Sequence, residues 1–549
     1  MESQRSFLFI ALLIVSFLLY TEYEKDNAPV IAEQTINQSA NQNTAGSGDF
    51  VPESSGSAMP TSTTVKTSEQ LISINTDVLA VKIATRGGDI VEAKLIKFDT
   101  EQGNGIPFTI MQNGNRKYVA QSGLTGAQGL DRVVPGRPIY QSSKVNYQLN
   151  DENPLIVDLE YTAENGLNVT KRFTFTKESY SVNVEYIINN TATTAASVQM
   201  YAQLKQSTVV ESGSSLMPTY RGAAYSTTED RYEKYDFDDI KDTRLKVTTA
   251  GGWVAMLEHY FVSAWVPSQA ADNQIYSDYS PNSEAVIGFK SPAITIEANS
   301  QATTSAVFYV GPKDQYVLDE IAPFLGLTID YGFLSMISKP LFWLLLQIQS
   351  LVINWGFAII VITLVVKGAM YPLTKAQYTS MAKMRELAPK MAQLKERFGD
   401  DRQKMSQATM EMYKKEKVNP AGGCLPMLIQ MPIFLALYWV FLESVELRHA
   451  PFFFWIEDLS TMDPYFILPV FMGVSMFIMQ KMQPMTIQDP MQQKIMQYMP
   501  VAFSVFMAWF PSGLVLYWFI SNLISIAQMK IIFSGIEKAK QAKLAKTEK

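Results

Sequence analysis

Alternation of apolar and polar residues dominates the chain from about residue 69 to 318, and a three-to-four spacing replaces it afterwards. Val78-Leu79-Ala80-Val81-Lys82-Ile83 runs into a turn at Gly87-Gly88 and resumes at Ile90–Leu95. Lys171–Phe175 and Tyr180–Ile187 keep the period of two, and turns such as Glu164-Asn165-Gly166 bound them. The pattern predicts antiparallel strands. Roughly 250 residues of it, with no sustained helical stripe, predict a β-sandwich.

Helical spacing begins near residue 315. Tyr331–Leu351 contains Lys339-Pro340 and is interrupted by Gln347, Gln349 and Ser350, which predicts a helix lying in a membrane interface. Candidate spans follow at Val352–Leu373, Cys424–Leu447, Tyr465–Gln480, Ile495–Phe510 and Leu514–Ile532. Only Pro511-Ser512-Gly513 separates the last two, a tight-turn signal. At the other end, Phe7–Tyr20 is apolar apart from Ser16, and the bulky, charged Thr21–Lys25 does not suit a cleavage site. Ser6–Tyr23 therefore predicts an uncleaved anchor. Residues 27–68 are too polar to offset their chain entropy and predict a disordered tether.

The domain plan is an anchor at 1–23, a linker at 24–68, an all-β domain at 69–320 and a linker with interfacial helix at 321–351. A helical core at 352–535 carries five spans and a hairpin at 374–423, and a basic tail at 536–549 closes the chain. The expected fold class is a multi-domain membrane protein with a polytopic core of six transmembrane helices plus the β domain.

Charge orients this plan. Residues 374–423 carry eleven Lys and Arg against six acids, and 537–549 adds five lysines. Residues 448–464 carry one Arg and three acids. The positive-inside rule puts 374–423, 481–494 and both termini in the cytoplasm, with the β domain outside. Six spans satisfy the parity.

A net charge of −6 argues against a general nucleic-acid binder. One cysteine, Cys424, excludes an internal disulfide. Two histidines, His259 and His449, leave little for a metal or catalytic site. No metal or cofactor is expected, and no phosphate-binding glycine loop occurs.

Lys367 is the most informative residue. It ends the apolar run Phe357–Val366, and a mid-span lysine is costly unless it meets water or a partner. Either it snorkels to the cytoplasmic surface, or it lies in a hydrated groove open to that side. No Asp or Glu falls deep in any span, since Glu443 and Glu446 lie near an outer end. The unpaired charge favours the groove. Thr363, Gln430, Ser444, Ser504, Ser521 and Asn522 add polarity that neighbouring helices commonly use.

In the cytoplasmic segment, Met384, Leu387, Met391, Leu394 and Phe398 form one apolar seam. Gly399-Asp400-Asp401 supplies a turn, Asn419-Pro420 stops the second helix, and Pro389 is expected to kink the first. The hairpin is either self-packed and solvated or a docking arm for an incoming chain or delivery factor. Twenty of 27 methionines lie between Met370 and Met529, either as ordinary filling between helices or as an adaptable apolar surface.

Thr363–Gln377, Asn419–Pro426 with Gln430–Phe434, Asp489–Lys494 and Phe510–Leu514 together resemble the signature of the YidC insertase family. The anchor, tether and β domain resemble its Gram-negative form, whose periplasmic domain is a β-supersandwich. The resemblance implies insertion and folding of membrane proteins in the inner membrane, alone or beside the Sec translocon, without catalysis. It implies nascent membrane proteins as partners, and a ribosome or delivery factor at the hairpin and tail. It also implies a groove built by Lys367, Thr363, Trp518 and Gln430, and a hydrophobic slide at Phe434 and Phe506. Lys367 stands where the family usually has arginine, which keeps the charge and loses the guanidinium fork. A secondary transporter would need buried carboxylates and matching halves. A periplasmic carbohydrate-active protein is the other rival. Glu258 and His259, on a strand, would point to opposite faces.

Overall fold

The computed structural model describes residues 51–52, 69–114, 116–134, 136–150, 154–209, 220–398, 401–416, 421–482 and 490–547. The expected anchor lies outside these residues, as does the tether apart from Val51 and Pro52. The chain divides into two units. One comprises residues 46–332 with Glu443–His449, and the other comprises Phe333–Leu442 with the chain from Ala450 onward.

The first unit is a pair of large sheets, one of eleven strands and one of nine among the described residues. Its logic is visible in Ser181–Asn190, where Val182, Val184, Tyr186, Ile188 and Asn190 are buried and the residues between them are not. That strand pairs antiparallel with Leu167–Phe175 on one side and Ser300–Pro312 on the other. Side chains of both sheets, among them Val81, Ile83, Phe173, Trp265 and Phe308, share one core. One pairing departs from the expected antiparallel pattern: Leu71–Asn75 runs parallel to Asn146–Gln148. Short helices α1 (Leu130–Val133) and α2 (Phe237–Asp242) interrupt the strands, and α3 (Gln315–Ile321) follows the last of them. Leu318 of α3 joins Trp253, Leu257 and Tyr309 in a second apolar cluster.

A charged cluster is sealed inside this unit. Arg137 donates from Nη1 to Asp89 at 2.5 Å and from Nε to Asp131 at 2.6 Å. Lys171 donates to the carbonyls of Gly87, Gly88 and Ser122 at 2.8–3.1 Å. Gly87 and Gly88 both have positive φ, and a Cβ on Gly87 would lie 2.4 Å from the Arg137 guanidinium. The turn is glycine because the charges pack against it.

Burial pushes the Lys171 amine from 10.5 down to about 7, with Asp89 opposing the shift. The unfolded chain then binds more protons than the folded one between those values, so this group makes stability rise with pH from ~7 to ~10. Burial lifts the hydroxyls of Tyr140, Tyr186 and Tyr201. They reverse the trend only above ~10, where the unfolded tyrosines lose protons first. Thermal melting of the β unit should rise across that window and Lys171→Met should flatten it. An unchanged slope in the variant would exclude Lys171 as its source.

The second unit is helical: α4 (Ser335–Val352), α5 (Trp355–Ala369), α6 (Tyr371–Glu386), α7 (Ala388–Phe398), α8 (Arg402–Lys415), α9 (Ala421–Glu443), α10 (Ile467–Met482), α11 (Pro490–Phe506) and α12 (Ser512–Thr547). Within α12, Ser512–Ala539 is long and apolar enough to cross a membrane.

Several expected bounds shift. In the stretch Val352–Leu373, expected as one span, α5 ends at Ala369 and the chain bends by 63° into α6. The span expected at Ile495–Phe510 is α11 followed by a 3-10 turn, Met507–Trp509. Pro389 does not kink a continuous helix. The first helix ends at Glu386, and Pro389 opens α7, where its missing N–H costs nothing. The expected apolar seam is therefore shared: Met384 lies on α6, Leu387 at its end, and Met391, Leu394 and Phe398 on α7. Asp401 caps α8 by accepting from the Lys404 amide at 3.0 Å, and Lys390 pairs with Glu416. Gly399, Asp400, Asn419 and Pro420 lie outside the described residues. The basic tail is not a separate segment, because α12 continues through it to Thr547.

Candidate functional site

α12 carries a polar stripe through an apolar helix. Trp518, Ser521, Asn522, Ser525 and Gln528 recur at spacings of three and four, which places them on one face. Lys367, in the last turn of α5, meets this stripe. Its Nζ donates to Ser525 Oγ at 2.9 Å, and its carbonyl accepts from Gln528 Nε2 at 3.2 Å. The residue is 6% exposed. Among the described residues no carboxylate forms an ion pair with it. The Ser525 hydroxyl thus stands where a counter-ion would sit in a dry bundle. One helix away, Asn522 Nδ2 donates to Ser475 Oγ of α10 at 3.1 Å.

Thr363, one turn before Lys367, is buried and donates to the Ile359 carbonyl of its own helix at 2.5 Å. Trp518 does not reach Lys367 through a hydrogen bond; it meets rings instead. Phe434 of α9 lies edge-on to it at 4.4 Å between centroids, and Phe503 of α11 approaches at 4.6 Å. Phe506 contacts Phe503 and Phe510 and is half exposed. Phe434 and Phe506 are thus linked through Phe503 and Trp518 in an aromatic row. Gln430 lies one turn before Phe434, half-buried.

Sequence reasoning found Lys367 and stopped at Ser521 and Asn522. Ser525 and Gln528 were missed, although the same three-to-four spacing extends to them. Among the described residues no group of three His, Cys, Asp or Glu is placed to hold a metal ion. Glu258 and His259 do not lie on a strand, contrary to expectation. They sit in the turn between Trp253–Leu257 and Phe261–Val266. Glu258 pairs with Arg116 and accepts from Gln206 Nε2 at 3.3 Å. Burial holds its carboxyl above the usual range while Arg116 opposes the shift. His259 stacks on Tyr260.

A helical unit with a membrane-length helix and a buried lysine, joined in one chain to a large all-β unit, is the make-up expected of a membrane protein with a substantial domain outside the bilayer. Comparison with known families gives the class a name. The YidC periplasmic domain profile matches residues 71–344, and the 60Kd inner membrane protein profile matches residues 347–540. The chain belongs to the YidC family of membrane protein insertases. It is 54% identical over 540 residues to membrane protein insertase YidC of Shewanella piezotolerans, covering 98% of this chain and 99% of that one. Membrane protein insertase YidC of Pseudoalteromonas atlantica is likewise 54% identical, over 544 residues, with the same coverage. A crystal structure of an active YidC insertase with its first transmembrane domain resolved covers 84% of this chain and 92% of its own. It has 20% sequence identity and a TM-score of 0.36.

Proposed function

We propose that the chain inserts membrane proteins into the inner membrane by receiving a polar substrate segment at the Lys367 stripe. The observation that carries this reading is a cation inside an apolar unit whose side-chain partner is a neutral hydroxyl, Ser525. A substrate carboxylate is a stronger acceptor for an ammonium group than a serine oxygen, so it can take that place on entry. The aromatic row at Phe434, Phe503 and Phe506 offers the apolar flank of the substrate a dry surface. Polar chain then crosses only part of the bilayer without water, which lowers the desolvation cost. Burial of the substrate's apolar residues, at ~25 cal/mol per Å², drives the step without nucleotide hydrolysis.

In the proposed topology six spans, counting the anchor, put both termini, the hairpin α6–α8 and the end of α12 in the cytoplasm. The β unit lies in the periplasm. The basic hairpin and tail receive the ribosome or a delivery factor, and the Sec translocon is a partner for larger substrates. The excess of Lys and Arg in these segments supports the assignment.

A photocrosslinker at Phe434 or Phe506 tests the path. With a short membrane protein stalled during synthesis, adducts to the nascent chain are expected at both positions. Absence of adducts at both would remove the aromatic row from the substrate path.

A further inference from the structure

The segment Ala450–Phe466, between α9 and α10, has an unusual arrangement for a loop: it buries one acid, Asp463, while several of its rings point out. Asp463 is 1% exposed. Its carboxylate accepts from Trp455 Nε1 at 3.0 Å, from the Tyr465 amide at 3.0 Å and from the Leu468 amide at 2.7 Å. Phe453, Phe454 and Tyr465 are 53%, 80% and 68% exposed. Phe454 and Phe466 hold positive φ, a conformation that bulky residues rarely adopt. At Phe454 an outward ring therefore coincides with a backbone conformation that costs energy.

The segment is also braced. Asn354 Nδ2, at the start of α5, donates to the carbonyls of Pro451 and Phe452 at 3.1 and 3.2 Å. Ser512 N donates to Thr461 O at 2.7 Å, and Gly513 N to Leu459 O at 2.9 Å. Two helix starts thus hold it from either side. A soluble loop with these residues would turn Asp463 outward and the rings inward, because water rewards that exchange.

What lies against the rings follows from the helix they lead into. Val470, Val474 and Ile478 are exposed at a spacing of four and form one apolar row along α10, with Phe466 exposed just before the helix start. In a membrane helix such a row faces acyl chains, and the loop's rings continue it past the helix end. Tyr465 at that level is of the type that favours the headgroup boundary, and Phe453 and Phe454 beside it add apolar surface.

We propose that Ala450–Phe466 is a preformed lipid anchor, with Phe453, Phe454 and Tyr465 inserted in the outer-leaflet interface. It fixes the depth of the starts of α5, α10 and α12. Its sidedness rests on the topology proposed above, whereas its insertion into lipid does not.

Spin-label accessibility in proteoliposomes tests this. Nitroxide is attached to Phe454→Cys or Tyr465→Cys in a Cys424→Ser background, with Val470→Cys as the lipid reference and Glu457→Cys as the water reference. Labels at 454 and 465 should favour collision with oxygen over a water-soluble nickel chelate, as at 470, while the label at 457 shows the opposite. Accessibility at 454 and 465 equal to that at 457 would overturn the anchor. A chelate confined to the outside of the vesicles reads sidedness separately. Label 457 quenched only from the cytoplasmic face would refute the topology and leave lipid insertion standing. A Phe453→Ser/Phe454→Ser variant, with purified protein and lipid alone, should lose the outward stop and let the label at Tyr465→Cys move toward the chelate.

Discussion

Lys367→Glu should lower insertion of substrates with acidic tails by on the order of 100-fold, with a much smaller effect on neutral-tailed ones. A unit charge about 10 Å from a carboxylate, at an effective dielectric near 20, is worth ~1.7 kcal/mol, and reversing its sign doubles the difference. Lys367 is the group to change because Ser525 and Gln528 surround it with neutral partners. Among the described residues no carboxylate pairs with Lys367, so the reversal breaks no ion pair. Lys367→Arg retains the charge and should keep most of the activity, since attraction rather than a bidentate contact is being used. Insertion into proteoliposomes of one short substrate with acidic and neutral tails is the measurement. Equal loss for both tails would show that the charge takes no part in capture.

Arg137→Met should be the most damaging single change in the β unit. It leaves Asp89 and Asp131 buried without their cation, a loss of about 3–5 kcal/mol. For a unit of this size that corresponds to a fall in Tm of roughly 6–10 °C. Melting of the full chain in detergent, followed by the strand circular dichroism signal, reads it. Replacing all three members, with Asp89→Asn and Asp131→Asn added, should cost less than Arg137→Met alone, because no ion is then left unpaired. A shift in the single variant below about 2 °C would mean that the trio does not hold the sheets in place.

These two sites differ in how far the sequence revealed them. Lys367 stood out because a charge ending an apolar run needs an explanation whatever surrounds it. The trio was invisible. Asp131 and Arg137 are near neighbours around a short helix, but Asp89 lies on a distant strand, and its meeting with them depends on how the chain closes. Local alternation was enough for strands such as Ser181–Asn190, where one face is dry and the other wet. It carried no information about the parallel partner of Leu71–Asn75, since pairing of distant strands leaves no mark on spacing. The helix break at Leu387 was misplaced because proline was weighed as a kink within a helix. At the beginning of a helix the same residue meets no steric or hydrogen-bond penalty. Ser525 and Gln528 were legible as a repeat, and were missed because serine and glutamine in a span are individually unremarkable.

The unbroken course of α12 has a mechanical consequence. Ser525 and Thr547 lie on one rod, and at 1.5 Å per residue they are about 33 Å apart. Force or torque applied to the basic end by a docked particle would then travel to the hydroxyl that holds the Lys367 amine, with no joint to absorb it. A pair of glycines inserted after Lys538 should disconnect the two ends, leaving docking intact while slowing hand-over of the substrate. Unchanged kinetics in that variant would show that the rod transmits nothing.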